Sequence, residues 1–413
     1  MNKRIYLCLA HMSGNEMQYI EEAFTTNWVV PLGPNVNAFE KDLEDFVGHD
    51  KKVVALSAGT AAIHLGLIAC GVERGDEVIC QSFTFCASAN PAAYLGAAPV
   101  FVDSEPDSWN IDPQLLDQAI ADRIRLTGRK PKAIIPVYLY GMPARIDDLI
   151  AVAAKYEIPI LEDAAEGLGS EFDGRICGTF GTFGALSFNG NKMITTSGGG
   201  ALICPNEAEK QRVMFYATQA REAYPYYQHE HIGYNYRLSN ICAGIGRGQM
   251  TVLPQHIAHH RHTHDLYARE LAGVPGITVH GNPSPRYESN FWLNTILLDP
   301  SLRVKDQDQA YRTATVGAIG GAGASVHQAA STRTDCEPNA NVEAMRVFLD
   351  KAGIESRPLW KPMHLQPVYR NSPAYLNGVS ESIFRRGLCL PSGPYVSDDD
   401  IRYIVDNIKQ SLA

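Results

Sequence analysis

The sequence has no excess of basic residues: 36 Lys and Arg stand against 45 Asp and Glu in 413 residues, a formal net charge of -9. Proteins that grip nucleic acid need clustered cations to displace counterions from phosphates, so this balance argues against a nucleic-acid partner. Paired cysteines are also missing. Cys8, Cys70, Cys80, Cys86, Cys177, Cys204, Cys242, Cys336 and Cys389 are scattered without a CxxC, which suggests neither a disulfide framework nor a structural zinc site. No apolar run approaches the roughly 20 residues of a membrane span, and the N-terminus holds only a short apolar stretch before polar residues. The expectation is a cytoplasmic protein with reduced thiols and no membrane partner. Internal repeats are absent too.

What is present is the composition of a globular protein, 45% hydrophobic and 20% charged, and a length that admits one large domain and a smaller one. Short β-branched runs alternate with helical patterns: Val53 to Ser57, Glu77 to Cys80, Pro99 to Val102, Ala133 to Leu139, Ile158 to Glu162 and Ala185 to Phe188. Such alternation predicts an α/β fold with a mostly parallel sheet between helices, its functional groups just after strand ends. Beyond Arg237 a helical stretch runs to about Leu271, with a break expected at Pro254, followed by an extended run from Phe291 to Leu298. Residues 1–255 are expected to form an N-terminal segment and the large domain, and 256–413 a small C-terminal one. Thr315 to Ala330 is rich in Ala and Gly with little to pack, so an insertion is expected near 315–340.

Three strand ends carry candidate chemistry. Leu161 to Glu166 ends an apolar strand in Glu162 and Asp163 followed by small residues; such a carboxylate either faces a pocket or caps a helix. Ser187-Phe188-Asn189-Gly190-Asn191-Lys192 places a lysine between a strand and the Gly198-Gly199-Gly200 run. Enclosed by close-packed backbone, a lysine becomes a usable amine nucleophile; left in solvent it is an ordinary surface residue. In Val53 to His64 a strand turns through Gly59-Thr60 into an apolar helix, whose free amides and dipole suit a phosphate. An anion cradle, an acidic strand end and a shielded lysine are the parts a pyridoxal phosphate (PLP) site requires.

The chain resembles the DegT/DnrJ/EryC1/StrS sugar aminotransferases over nearly its whole length. The resemblance rests on Asn27-Trp28, Leu32-Gly33-Pro34, Phe39-Glu40, Ser57 to Ala62, Arg74 to Val78, Pro99 to Asp103, Glu162 to Ala165, Ser187 to Lys192, Gly233 to Asn240, Arg357 to His364 and Leu388 to Gly393. It implies fold type I, a homodimer with shared active sites, and PLP as cofactor. Lys192 falls on the lysine that holds the cofactor and moves the proton, and Asp163 on the carboxylate that pairs with the pyridine nitrogen. Gly59, Thr60 and Ser187 fall on phosphate-binding positions, Phe85 on the aromatic that stacks on the ring, and Glu166 beside the 3'-oxygen. Asn235 falls on a residue lent to the neighbouring subunit's phosphate; Trp28, Trp360, Lys361 and His364 resemble substrate-facing positions.

The activity so implied is transfer of an amino group, by family analogy from L-glutamate, to a UDP- or GDP-linked 4-keto-6-deoxy hexose for amino-sugar and surface-glycan synthesis. Two other readings compete. A PLP-dependent sugar dehydratase is disfavoured by Lys192, because that branch carries histidine there. A PLP-binding regulator is disfavoured because the resemblance begins within about 30 residues of the start, leaving no room for a DNA-binding domain. His256, His259, His260, His262 and His264 form a dense run with one i,i+4 pair; lacking a carboxylate or cysteine companion, it is read as a helix surface rather than a metal site.

Overall fold

In the computed structural model, which describes residues 4–48, 50–311 and 336–413, the β-branched runs become strands wrapped by helices. β1 (Lys52–Leu56), β2 (Glu77–Gln81), β3 (Ala98–Val102), β4 (Ala133–Ile135) and β5 (Leu161–Asp163) alternate with helices such as Gly59–Ala69, Pro113–Thr127 and Ile146–Tyr156. A ribbon of β6 (Glu171–Phe172) and β7 (Arg175–Ile176) precedes β8 (Phe183–Ser187) and β9 (Gly200–Cys204). Later come β10 (Ile277–Val279), β11 (Tyr287–Glu288), β12 (Asn294–Leu298), β13 (Arg357–Pro358), β14 (Ala374–Tyr375) and β15 (Gly387–Leu390).

Two four-stranded units, β1-β9-β8-β5 and β4-β2-β3-β14, are joined through the parallel bridges Ile134↔Ile160 and Val137↔Asp163. The resulting sheet is parallel except for β9, which is antiparallel to both β1 and β8. Successive strand residues face opposite sides, so Val53 and Ala55 enter one apolar cluster while Val54 and Leu56 enter the other. Both faces are thereby covered, as a parallel sheet requires. The exposed edge of β1 is covered by side chains. Ala55 N–H donates to Glu40 Oε1 at 2.8 Å and Val53 N–H to Glu44 Oε1 at 3.1 Å, both from the helix Pro34–Val47, and Arg237 pairs with Glu40 and the Ala55 carbonyl. These bonds occupy the edge amides of Val53 and Ala55 and the Ala55 carbonyl, which blunts the edge against pairing with another chain.

A second, antiparallel sheet, β10-β12-β15-β13, packs with helices Leu253–Glu270, Ala340–Lys351 and Asp398–Ser411 around Tyr267, Ile296, Leu349, Leu390 and Ile404. We propose the division of the chain near residue 255 on this basis, with two returns across it: β14 extends the large sheet beside β3, and β11 pairs with β6.

Several expectations are corrected. The run from Ala133 to Leu139 is strand only to Ile135, because the chain then turns through Tyr140, whose φ is 55°. The helical stretch after Arg237 breaks at Thr251 and Val252, leaving Pro254 in the first turn of Leu253–Glu270, where a missing N–H costs nothing. The histidine run is a helix surface only in part, at the exposed His262 and the partly exposed His259. His256, His260 and His264 are buried, bonding the Met193 carbonyl, the Phe291 carbonyl and Asn294 Oδ1 respectively. Burial pushes these imidazoles below their ordinary values, His260 to about 3. Thr315 to Ala330 lies outside the described residues.

The strand β9 was not foreseen, although its glycine-rich start suggests close backbone approach near Lys192. Its first residue must be glycine for a steric reason: a Cβ on Gly200 would lie 2.4 Å from the Gly59 nitrogen and 2.6 Å from the Leu186 carbonyl oxygen. Gly200→Ala is therefore expected to lower the unfolding free energy by about 3 kcal/mol in denaturant titration. Gly198→Ala, whose Cβ would meet nothing within 4 Å, should be near neutral; equal effects from both would refute the assignment to close backbone approach.

Candidate active site

The carboxyl ends of β5 and β8 and the start of the helix Gly59–Ala69 open into one cavity of about 370 Å³, lined among others by Gly59, Thr60, Phe85, Asp163, Glu166, Ser187, Lys192 and Trp360. At the cradle end, Ala58 precedes the helix without a side-chain cap. The amides of Gly59, Thr60 and Ala61 therefore have no carbonyl four residues back and remain available to an anion. A side chain at position 59 would crowd this corner, since a Cβ there would sit 3.0 Å from the Ser187 Cβ. Its absence lets the serine hydroxyl and the helix start share one corner.

Asp163 closes β5. Its neighbour Glu162 points to the other face, where it binds the Tyr138 hydroxyl and the amides of Gly178 and Gly181, so strand alternation alone separates a structural carboxylate from one in the cavity. Asp163 accepts the Ser88 hydroxyl at 2.6 Å and the Ala165 amide at 3.1 Å, and Thr84 in turn holds Ser88 at 2.7 Å. The amide bond is local, but no helix follows, so Asp163 is not the helix cap that its sequence also allowed. Burial pushes the Asp163 carboxyl above its ordinary value, against the opposing Ser88 and Ala165 bonds. Among the described residues it has no ion-pair partner within 4.0 Å. A buried carboxylate held by neutral donors and facing a cavity fits a cationic ring nitrogen, which would supply the missing countercharge.

Lys192 lies on the connection between β8 and β9. Its Nζ is 3.2 Å from Glu166 Oε1 and 3.9 Å from the centroid of the Trp292 ring. Glu166 is fixed from behind by the Tyr140 amide, at 2.7 Å. The connection is held at three points: Trp292 Nε1–H donates to the Asn191 carbonyl at 2.6 Å, His256 Nδ1 meets the Met193 carbonyl at 3.1 Å, and the Thr195 amide donates to Gln249 Oε1 at 3.3 Å. Uncapped amides, an unpaired buried carboxylate and an enclosed amine thus fit the phosphate, ring nitrogen and aldehyde of PLP.

The other expected residues divide. Phe85 is half exposed into the cavity, 5.3 Å from the Trp360 ring. Trp28, Asn235, Lys361 and His364 do not line this chain's cavity. Asn235 is exposed beside Thr218. The half-exposed Trp28 receives the Asn240 side-chain amide on its carbonyl, and the Lys361 carbonyl receives that of Gln366. His364 meets the Ser82 hydroxyl at 2.7 Å, and burial lowers its pKa, favouring the neutral ring. Thr84, Ser88, Tyr140 and Trp292 were missed. Of these only Trp292, a tryptophan just ahead of an apolar strand and two residues after Asn290, leaves a local signal in the sequence.

A mostly parallel sheet bearing this site defines a fold type I PLP-dependent enzyme. The DegT/DnrJ/EryC1/StrS aminotransferase family model matches residues 10–320 and 307–409. EpsN of Bacillus subtilis (strain 168), assigned as a pyridoxal phosphate-dependent aminotransferase, is 42% identical over 98% of this chain and 95% of its own length. GDP-perosamine synthase of Caulobacter vibrioides is 31% identical over 99% and 98%. The crystal structure of a DegT DnrJ EryC1 StrS aminotransferase from Brucella abortus, 28% identical, superposes with a TM-score of 0.82 over 96% of this chain and 95% of that one. This chain belongs to the DegT/DnrJ/EryC1/StrS aminotransferase family and is a PLP-dependent aminotransferase. Among the described residues no group of His, Cys, Asp and Glu is gathered as for a metal ion, and no helix is long and apolar enough to cross a membrane.

Gln249, which holds the lysine-bearing connection, also binds Glu16 Oε1 at 2.7 Å, and Glu16 accepts the Ser13 and Gly14 amides. Burial alone would raise the Glu16 carboxyl, but these donors outweigh it and hold it at about 2. A carboxyl lowered on folding stabilises above its unfolded pKa and loses that contribution as pH falls through its folded one. Glu16→Gln should therefore cost about 2 kcal/mol at pH 7. The deficit should shrink between about pH 4.5 and pH 2 in pH-resolved thermal unfolding; a pH-independent deficit would refute the assignment.

Proposed function

We propose that the enzyme transfers an amino group from L-glutamate to a nucleotide-linked 4-keto-6-deoxy hexose, UDP- or GDP-linked, in amino-sugar synthesis for surface glycans. The observation that carries the catalytic part is the opening of Lys192, Asp163 and the uncapped helix start into one cavity. When bound, PLP withdraws electrons from the carbon that carries the transferred nitrogen. Lys192 Nζ moves the proton between that carbon and the cofactor's C4', in one direction as the amino acid gives up nitrogen and in the other as the sugar receives it. Asp163, braced by Ser88, keeps the pyridine nitrogen protonated. The Gly59 and Thr60 amides and the Thr60 and Ser187 hydroxyls hold the phosphate, Phe85 covers the ring, and Glu166 faces the 3'-oxygen.

Trp360, at the cavity wall, and Trp28, Lys361 and His364, which do not line it, are assigned to the sugar nucleotide. The likeness to an enzyme named for a GDP-linked amino sugar supports that substrate class. We assign Asn235 to the phosphate of a second copy's site. Its exposure outside its own cavity supports this, as do the apolar side chains left uncovered at Phe24, Val29, Leu32, Tyr226, Tyr227 and Ile232, a surface that a partner subunit would bury.

Offering candidate nucleotide keto-sugars one at a time to the amine-loaded enzyme identifies the substrate by loss of the pyridoxamine absorbance; no response to any 4-keto-6-deoxy sugar nucleotide would overturn the proposed acceptor. Lys192→Ala should abolish the absorbance of covalently held PLP, and borohydride trapping on another lysine would refute the central role of Lys192. Asp163→Ala should stay folded and slow turnover by orders of magnitude, so near-normal turnover would remove the carboxylate from the mechanism. Once Asn235→Ala is shown to impair activity by itself, it can be mixed with Lys192→Ala. Verified mixed dimers should regain activity, each holding one site with both lesions and one with neither; no gain would exclude the shared site.

A further inference from the structure

Trp292 is buried, and a buried indole is ordinarily packing with its N–H satisfied. Here the ring's N–H and its face both meet one loop, at the adjacent residues Asn191 and Lys192. The Nε1–H holds the Asn191 carbonyl at 2.6 Å, and the ring face lies under the next residue's ammonium, 3.9 Å from centroid to Lys192 Nζ. The backbone behind the ring is equally constrained. The Trp292 amide donates to Asn290 Oδ1 at 2.8 Å, and Asn290 Nδ2 donates to the carbonyls of Glu166 and Leu168, each at 2.9 Å. One short segment between β11 and β12 therefore fixes the loop of Glu166 through Asn290 and the loop of Lys192 through Trp292. The amine is left between a carboxylate and an aromatic face.

We propose that Trp292 is a positioning residue that holds Lys192 Nζ at the place where it meets the cofactor's aldehyde. The inference rests on the proposed role of Lys192. In the capture step Nζ passes one proton to Glu166 and its lone pair forms a bond to the aldehyde carbon. The carbonyl oxygen then leaves as water with the two protons remaining on Nζ. An ammonium over an indole is held by the ring's negative face, and displacing a reacting atom by even 1 Å costs on the order of a hundredfold in rate. Trp292 touches neither phosphate cradle nor Asp163 in any hydrogen bond, so its removal separates capture from docking.

The test uses the full chain stripped of cofactor, in three forms: unchanged, Trp292→Phe, which keeps a ring face and loses the N–H, and Trp292→Leu, which loses both. Pyridoxamine phosphate needs the cradle and Asp163 but no bond to Lys192, whereas PLP absorbance reports the bond. Stopped-flow capture of PLP should slow by about tenfold or more in Trp292→Leu and by less in Trp292→Phe, while the Kd for pyridoxamine phosphate stays within about twofold. Unchanged capture in both variants, or parallel loss of both ligands in both, would overturn the proposal and leave Trp292 as packing. A Lys192→Ala control keeps the two readings apart: if it still forms the PLP bond, the role of Lys192 itself fails, whatever the tryptophan variants do.

Discussion

The site depends on one backbone contact, where the single antiparallel strand of the large sheet begins against the helix that starts at Gly59. With no side chain at Gly200, the main chain of β9 comes close enough to Gly59 and Leu186 to lie between β1 and β8. Inserting β9 there makes β8 and β9 adjacent, so the residues between them, Lys192 included, must reverse direction over the carboxyl end of the sheet. It also sets that reversal beside the turn from β1 into the helix, where the uncapped amides lie. Lysine and cradle are thus neighbours because two adjoining turns share a glycine contact.

Charge is arranged as economically as the backbone. The cavity holds the carboxyls of Asp163 and Glu166 against one ammonium, that of Lys192. Among the described residues, Glu166 has that ammonium and a backbone amide as partners, whereas the hydrogen bonds to Asp163 come from neutral donors. Keeping a carboxylate buried without a countercharge costs stability, and a cationic ring nitrogen removes the cost. The same asymmetry separates two carboxylates three residues apart into different tasks.

The second sheet contributes from outside the first. Asn290 and Trp292 lie just ahead of β12, yet they bind loops that follow β5 and β8. His256, on the helix leading into the second sheet, holds the same lysine-bearing connection at Met193. The C-terminal part is therefore part of the active site's frame, and Trp360 brings one of its side chains to the cavity wall.

Much of this was legible in the sequence. Strand positions followed from β-branched runs of five or so residues, and the cradle, the acidic strand end and Lys192 were visible because each sits within a few residues of a strand end, where local pattern and chemistry coincide. By local pattern Glu162 and Asp163 were equivalent; the family resemblance singled out Asp163, and the facing of β5 puts its side chain at the cavity. The burial of His256, His260 and His264, the place of β9, and the service of Ser88, Tyr140 and Trp292 to residues 26 to 101 positions away in the chain were decided by tertiary structure. A hydrogen bond between distant segments leaves no periodicity or spacing along the chain, and packing determines which polar groups meet once the helices and sheets have closed.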